Sequence, residues 1–302
     1  MKRLFVAALL GGALFVAPFL LLENSSVDSQ HVAQAGGPST NSSGHTNDGM
    51  ALTSQVAPGT LPTTTNLADP NKSTVTVSPG MTVKAVAREV GSLPGHDASS
   101  FAEEAASGVV HSFYAPVGSD DLEGVLGDGT YTVAPGESDA QILYDMVLRF
   151  NGQAQKAGLT FGSAAGSGFS VYQILTVASI VQQEGYIEKN MPDVARVIYN
   201  RLADQKPLQM NSTILYPLGE DGGAFTTEDL HVESPYNSYL HTGLPPTPIC
   251  SPSIAALKAA LNPPPGNWIY FNVVRSDGTE AFSSTFKAQL ANEKLAQTLG
   301  LG

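Results

Sequence analysis

The sequence predicts an α+β protein, with a small amino-terminal module followed by a larger domain that packs helices against a small, mostly antiparallel sheet. Three observations predict it. The segments Val75–Thr82 and Tyr131–Ser138 each read as a strand, a Pro-Gly turn and the start of a helix. An almost wholly apolar helix is expected to end at Glu184. The last part of the chain reads as a helix (Ile254–Leu261), a strand (Trp268–Val274) and an amphipathic helix (Phe286–Leu299).

Bulk properties narrow the function. The chain has 302 residues and a formal net charge of -12. That length admits more than one domain, and the charge argues against a nucleic-acid partner. Cys250 is the only cysteine, which excludes an intrachain disulfide and a cysteine-based structural zinc site. It lies in a proline-rich stretch with no base beside it and reads as a small apolar filler. The six histidines are scattered without H-E-x-x-H spacing, against a zinc peptidase. No cofactor or metal site is expected.

The amino terminus carries a targeting signal. Lys2 and Arg3 precede an uncharged run from Leu4 to Leu22, long enough to cross a bilayer as a helix. Residues 1–22 are expected to form a single-pass anchor in the cell membrane. The positive-inside rule puts its amino terminus in the cytoplasm and the remainder outside. The rival is a cleaved signal peptide with Ala33-Gln34-Ala35 as its site, although Ala35 lies far beyond the apolar run. Residues 23–72 are Ser, Thr, Asn, Gly, Gln and Pro rich and read as a flexible tether.

Residues 73–150 form the first module. Thr82 is placed to cap one helix, and Ser138 with Gln141 has capping-box spacing for another. The strand-turn-helix opening resembles a LysM glycan-binding module, and a purely structural α+β module fits equally. Residues 151–169, rich in Gly, Ala, Ser and Gln, read as a linker, and residues 170–302 as the second domain.

The second domain carries the chemistry. Ser170 and Gln173 have capping-box spacing and open the helix that ends at Glu184. An acid at the end of a buried helix is rigidly placed and partly desolvated, which raises its pKa toward that of a general acid. Taken alone, the segment also fits a helix ending in a solvated Glu. Glu188 would share the helix face only if the helix continued past Gly185, so it is expected in solvent. A second helix begins at Asn190-Met191-Pro192, with Val194, Val197, Ile198 and Leu202 as its apolar stripe. Arg201 lies off that stripe as a surface or ion-pairing residue. Gln209, Asn211 and Thr213 alternate, so a half-buried strand would point all three one way. Such a row suits hydroxyls and acetamido groups, and equally an ordinary exposed strand face. Tyr236, Asn237 and Tyr239 precede a rigid loop at Gly243-Leu244-Pro245-Pro246. Rings beside amides are typical of a cleft that stacks sugars, although prolines stiffen loops for many reasons.

Five blocks occur together and in order: Ala178-Ser179-Ile180-Val181-x-x-Glu184, Asn200-Arg201-Leu202, Leu208-Gln209 with Thr213 and Tyr216, Tyr236-Asn237-x-Tyr239, and Gly243-Leu244-Pro245-Pro246. The set resembles the endolytic murein transglycosylase family (MltG, YceG-like). Leu122-Glu123-Gly124 and Thr130-Tyr131 resemble that family's first module, so the resemblance covers roughly residues 73–300. It implies an enzyme that cuts peptidoglycan glycan strands internally, between N-acetylmuramic acid and N-acetylglucosamine, leaving 1,6-anhydromuramoyl ends. It implies Glu184 as the catalytic acid. The substrate would be bound by Gln209, Asn211, Thr213, Tyr216, Tyr236, Asn237, Tyr239, Leu244 and Pro245. A role in ending nascent strands beside a cell-wall synthase is implied in the same way.

The residues agree with that chemistry. Glycoside hydrolysis normally needs two carboxyls, and only Glu184 stands out here. One suffices if the sugar's own C6 hydroxyl attacks, since the same group can protonate the leaving oxygen and then accept the hydroxyl proton. The chain departs from the family at four positions. Gln182 and Asn211 stand where acids are usual, and Glu280 and Gln289 replace histidines. Two alternatives follow: a cell-wall binding or scaffold protein without turnover, and a water-using muramidase with a second carboxylate at Glu220, Asp221, Glu228 or Asp229.

Overall fold

The computed structural model describes residues 72–219 and 226–301. The expected anchor, the tether up to residue 71, and Glu220 and Asp221 lie outside the described residues. Among the described residues no helix is long and apolar enough to cross a membrane.

The two strand-turn-helix segments pair with each other. Strand β1 (Ser73–Val77) runs antiparallel to β2 (Gly129–Val133), with Val75 opposite Tyr131. Alternation buries Val75, Val77, Tyr131 and Val133 and turns the threonines outward. Thr82 caps α1 (Val83–Gly91) by accepting the Ala85 N–H, and Asp97 caps α2 (Ala98–Ala105). Ser138 caps α3 (Asp139–Ala157) by accepting the Gln141 N–H. The Gln141 side chain bonds Asp145 at 3.0 Å, so this capping box is only half made.

The expected linker is helical. Helix α3 continues to Ala157, and α4 (Phe161–Ser167) follows behind a complete capping box at Thr160 and Ser163. Ala154, Ala157 and Ala164 are buried there, so small residues serve close packing rather than flexibility.

Helix α5 (Val171–Glu184) is capped by Ser170 and Gln173 in both directions and buries nine of its residues, Val171 and Ile174 through Val181. It packs on α6 (Met191–Ala203) and α8 (Ile254–Leu261). Helix α7 (Asn211–Leu218) lies against its carboxy-terminal end. A hairpin of β3 (Tyr270–Val273) and β4 (Glu280–Ser283) pairs Phe271 with Phe282 and is covered by α9 (Phe286–Thr298). The sheets are small and antiparallel, as expected for the α+β class.

One hydrophobic cluster runs through both expected modules, joining Phe101, Leu126 and Phe150 to Ile174, Leu175, Ile198 and Leu257. Polar contacts fix the turn after β1 against the end of α5. Gly80 N–H bonds Ser251 O at 2.8 Å, and Gln183 Nε2 donates to Gly80 O at 2.9 Å. The end of α5 is therefore gripped from the first module as well as from its own domain.

Candidate active site

Glu184 is the last residue of α5. The next residue, Gly185, caps the helix with its N–H on Val181 O, and only glycine fits there: a Cβ would lie 2.8 Å from Met191 Cγ and 2.9 Å from Val181 O. The chain turns away at once, and Glu188 stands exposed in a 3-10 turn (Glu188–Asn190).

Two donors hold the Glu184 carboxyl. Ser212 gives its backbone N–H at 3.1 Å and its hydroxyl at 2.6 Å, both to Oε1. Ser212 sits in the first turn of α7, whose preceding residue Met210 offers no side-chain cap. The carboxyl thus occupies an open helix N-terminus, where free N–H groups and the helix dipole favour negative charge. Burial outweighs these donors and pushes the Glu184 pKa up; the Ser212 hydroxyl and N–H pull it partly back. The result is an acid that keeps its proton longer than a free carboxyl yet has a prepared place for the charge once the proton leaves.

Tyr239 faces this carboxyl. Its hydroxyl donates to Asn211 Oδ1 at 2.7 Å. Burial and then the Glu184 charge hold its own proton on, with Arg201 opposing. Glu280 approaches from β4: its Oε1 accepts the Tyr186 N–H at 3.3 Å, two residues past Glu184. It is 7 % exposed, and among the described residues its Oε2 has no hydrogen-bond partner. Its pKa is pushed up to about 8, mainly by burial and further by Glu184 and Asp193; the Tyr186 N–H and Asn190 oppose.

The other expected residues divide. Residues 211–218 are helical, so Gln209, Asn211 and Thr213 do not share a face as the strand reading required. Gln209 has φ 54°, and its Oε1 accepts from Arg201 Nη2 at 2.5 Å. Thr213 is fully buried and bonds Met210 O and Ser238 Oγ. Asn237 is fully buried too, holding Leu230 O, Val232 O and the Tyr239 N–H. Both shape the loop that carries Tyr239 and have no free group for a substrate. Tyr216 and Tyr236 pack at a tilt with centroids 4.9 Å apart, and Tyr216 OH donates to Glu123 Oε2 at 3.2 Å. Leu244 is partly buried and Pro245 buried in the adjoining loop.

Arg201 is not a surface residue. It is 7 % exposed and donates to Pro207 O, Ile269 O and Gln209. Its guanidinium lies 5.5 Å from the Tyr270 ring centroid, so it ties the 207–209 turn to the hairpin. Cys250 is buried and donates to Ser179 O at 3.3 Å. Sequence reasoning missed Ser212 as the partner of Glu184 and missed the approach of Glu280. Of the proposed second carboxylates, Glu228 and Asp229 are described; Asp229 is engaged with Thr226.

Residues 52–295 match the YceG-like family. An endolytic murein transglycosylase of Bacillus subtilis (strain 168) is 34% identical over 168 residues, which are 55% of this chain and 45% of that protein. One of Streptococcus pneumoniae (strain ATCC BAA-255 / R6) is 29% identical over 227 residues, 67% of this chain and 41% of that protein. The chain thus spans less than half the length of the curated relatives it matches. A yceG-like protein of Listeria monocytogenes, solved at 2.6 Å, superposes with a TM-score of 0.64 at 28% identity, covering 74% of this chain and 76% of that one.

Proposed function

The chain belongs to the YceG-like family, and on that premise we propose that it is a lytic transglycosylase acting inside peptidoglycan glycan strands. The bond cut lies between N-acetylmuramic acid and N-acetylglucosamine, and the product carries a 1,6-anhydromuramoyl end. The observation that carries this is the Glu184 carboxyl, pushed up by burial yet joined to two Ser212 donors. Protonated, it delivers a proton to the leaving glycosidic oxygen. Ionised, it is received by the amino terminus of α7 and can take the proton of the C6 hydroxyl as that oxygen closes on the anomeric carbon. Proton donation and recovery use one group, so no water is consumed.

The muramidase alternative gains one candidate, Glu280. Its high proton affinity argues against it as a base at neutral pH, because a neutral carboxyl cannot activate water. The scaffold alternative does not account for a desolvated acid gripped at a helix end.

Wider features of the reading rest on sequence. The apolar run of residues 4–22 supports a membrane anchor with the folded part outside the cytoplasm. The β1-α1-α2-β2 order supports a LysM-like module that holds glycan near the cleft. Termination of nascent strands beside a synthase is the role such an enzyme would fill at the membrane.

The test is mass spectrometry of products from uncrosslinked glycan strands, with wild type beside Glu184→Gln. Anhydro-ended fragments that vanish in the variant are expected. Fragments one water heavier would replace the transglycosylase by a hydrolase. Cleavage retained by a folded Glu184→Gln would remove Glu184 from the chemistry.

A further inference from the structure

Glu280 is a buried acid that the mechanism above leaves unused. It projects from β4, an element far from Glu184 in sequence, yet its Oε1 accepts the backbone N–H of Tyr186, two residues beyond Glu184. Its other oxygen is buried and unpartnered among the described residues. No described cation pairs with it. The groups that face it are Glu184 at the end of α5, the Tyr186 N–H of the following loop, Asn190 of the 3-10 turn and Asp193 in the first turn of α6. The neighbouring Lys189 is held by Thr279 Oγ1 at 3.1 Å. The groups that face Glu184 are Ser212 of α7, Tyr239 of the adjoining loop and Glu280 itself.

We propose that Glu280 is a positioning residue for the proton of Glu184: the two carboxyls act as a coupled pair, and the charge Glu280 can carry keeps Glu184 protonated to higher pH. The sign does not depend on which acid ionises first. A neighbour able to become negative can only raise the proton occupancy of Glu184 relative to a neighbour that stays neutral. Burial of Glu280 and the partial burial of Glu184 limit how far solvent screens the coupling. The proposal concerns the site assigned above and rests on Glu184 being its acid.

Two measurements on the full chain test it. The first is the pH profile of kcat/KM for glycan-strand cleavage in wild type, Glu280→Gln and Glu280→His. Glutamine keeps the acceptor for Tyr186 N–H and removes the charge. The ratio of wild-type to Glu280→Gln activity is expected to grow with pH, reaching roughly three- to tenfold on the alkaline side. A ratio independent of pH would make Glu280 merely structural and overturn the proposal. The second measurement needs no activity: a carbon-13 titration of glutamate carboxyls, with Glu184 assigned by its absence in Glu184→Gln. In wild type the Glu184 resonance is expected to show a second inflection as Glu280 titrates near pH 8, and in Glu280→Gln that inflection disappears. A wild-type Glu184 curve without a second inflection overturns the pairing even if the glutamine variant fails to fold. The pairing seen by titration in a protein that cleaves nothing would remove the transglycosylase assignment and leave the pair standing. Cleavage with no coupling would do the reverse.

Discussion

Replacing Ser212 by alanine removes one of the two donors to Glu184 and leaves the other. The hydroxyl bond is 2.6 Å long and ends on the same oxygen that accepts the Ser212 N–H at 3.1 Å. A hydrogen bond to a charged group is worth roughly 1.5–3 kcal/mol, and a short bond to a carboxylate belongs to that class. The bond favours the ionised carboxyl, the state that Glu184 approaches in the proposed mechanism as it yields its proton to the glycosidic oxygen. At about 1.4 kcal/mol per tenfold in rate, full loss of the bond in the transition state slows cleavage by about 10- to 100-fold. Partial proton transfer gives the lower end. The pH effect has a fixed sign. Without the hydroxyl, burial acts on Glu184 with less opposition, the proton is held more tightly, and the alkaline limb of the rate profile moves to higher pH. The assay is release of glycan ends over a pH series, with a thermal melt in parallel. Little stability should be lost, because α7 keeps the Thr213 bonds to Met210 O and Ser238 Oγ. Wild-type turnover in Ser212→Ala at every pH, or a limb displaced to lower pH, would refute this account of the acid.

Three further outcomes are expected. Gly185→Ala forces a Cβ to within 2.8 Å of Met191 Cγ, an overpacking that costs about 1–3 kcal/mol; a lower melting temperature should accompany an activity loss, since the displaced backbone is the one carrying Glu184. Glu123 is pushed up to about 8 from an ordinary 4.5 by burial, against bonds from Val83 N–H, Gly124 N–H and Tyr216 OH. A folded-state pKa above the unfolded one contributes stability that is full below about pH 4.5 and is lost as the pH rises through about 8. Urea midpoints should therefore fall over that window and fall less in Glu123→Gln; an equal slope in the variant would mean that Glu123 is ionised in the native state. Asn211→Asp places a carboxylate against the Tyr239 hydroxyl near Glu184, and should restore alkaline-side activity to Glu280→Gln. A double-mutant cycle on kcat/KM measures the coupling, and strict additivity would show that the two positions do not act on one acid.

What was legible in the sequence was local. Helix α5 announced itself through a capping box and an unbroken apolar run, because both signals lie within the helix itself. Thr82 and Ser138 were legible as caps for the same reason. The 211–218 segment was not. Its alternation of Gln209, Asn211 and Thr213 mimics a strand, while the helix is supported at its start by Glu184 and Ser238, residues distant in sequence. Strand β4 is only four residues long and pairs through Phe271 and Phe282. The Asp277-Gly278 pair between two aromatic-containing runs was the available hairpin signal. Arg201 looked like a surface residue because a cation off an apolar stripe usually is one. Its burial is made possible by carbonyls of Pro207 and Ile269 that no pattern near residue 201 reveals.

The family-level departures gain a common physical sense once Glu280 is seen near Glu184. By resemblance, an acid is usual at position 211 and a histidine at position 280; here the chain has an amide and an acid. Asn211 adjoins Ser212, the donor to Glu184, and its Oδ1 accepts the Tyr239 hydroxyl. An aspartate there would add a carboxyl against the Tyr239 hydroxyl, while Glu280 already faces Glu184 from the hairpin. Each added like charge makes ionisation harder, and the Arg201 guanidinium is already committed to Pro207 O, Ile269 O and Gln209. The exchange keeps the number of acids around Glu184 at one and moves that acid from the α7 side of the cleft to the hairpin. On this account Asn211 is no mark of lost activity. It fits a site in which Glu280 supplies the neighbouring acid, and each substitution by itself should be worse than the pair.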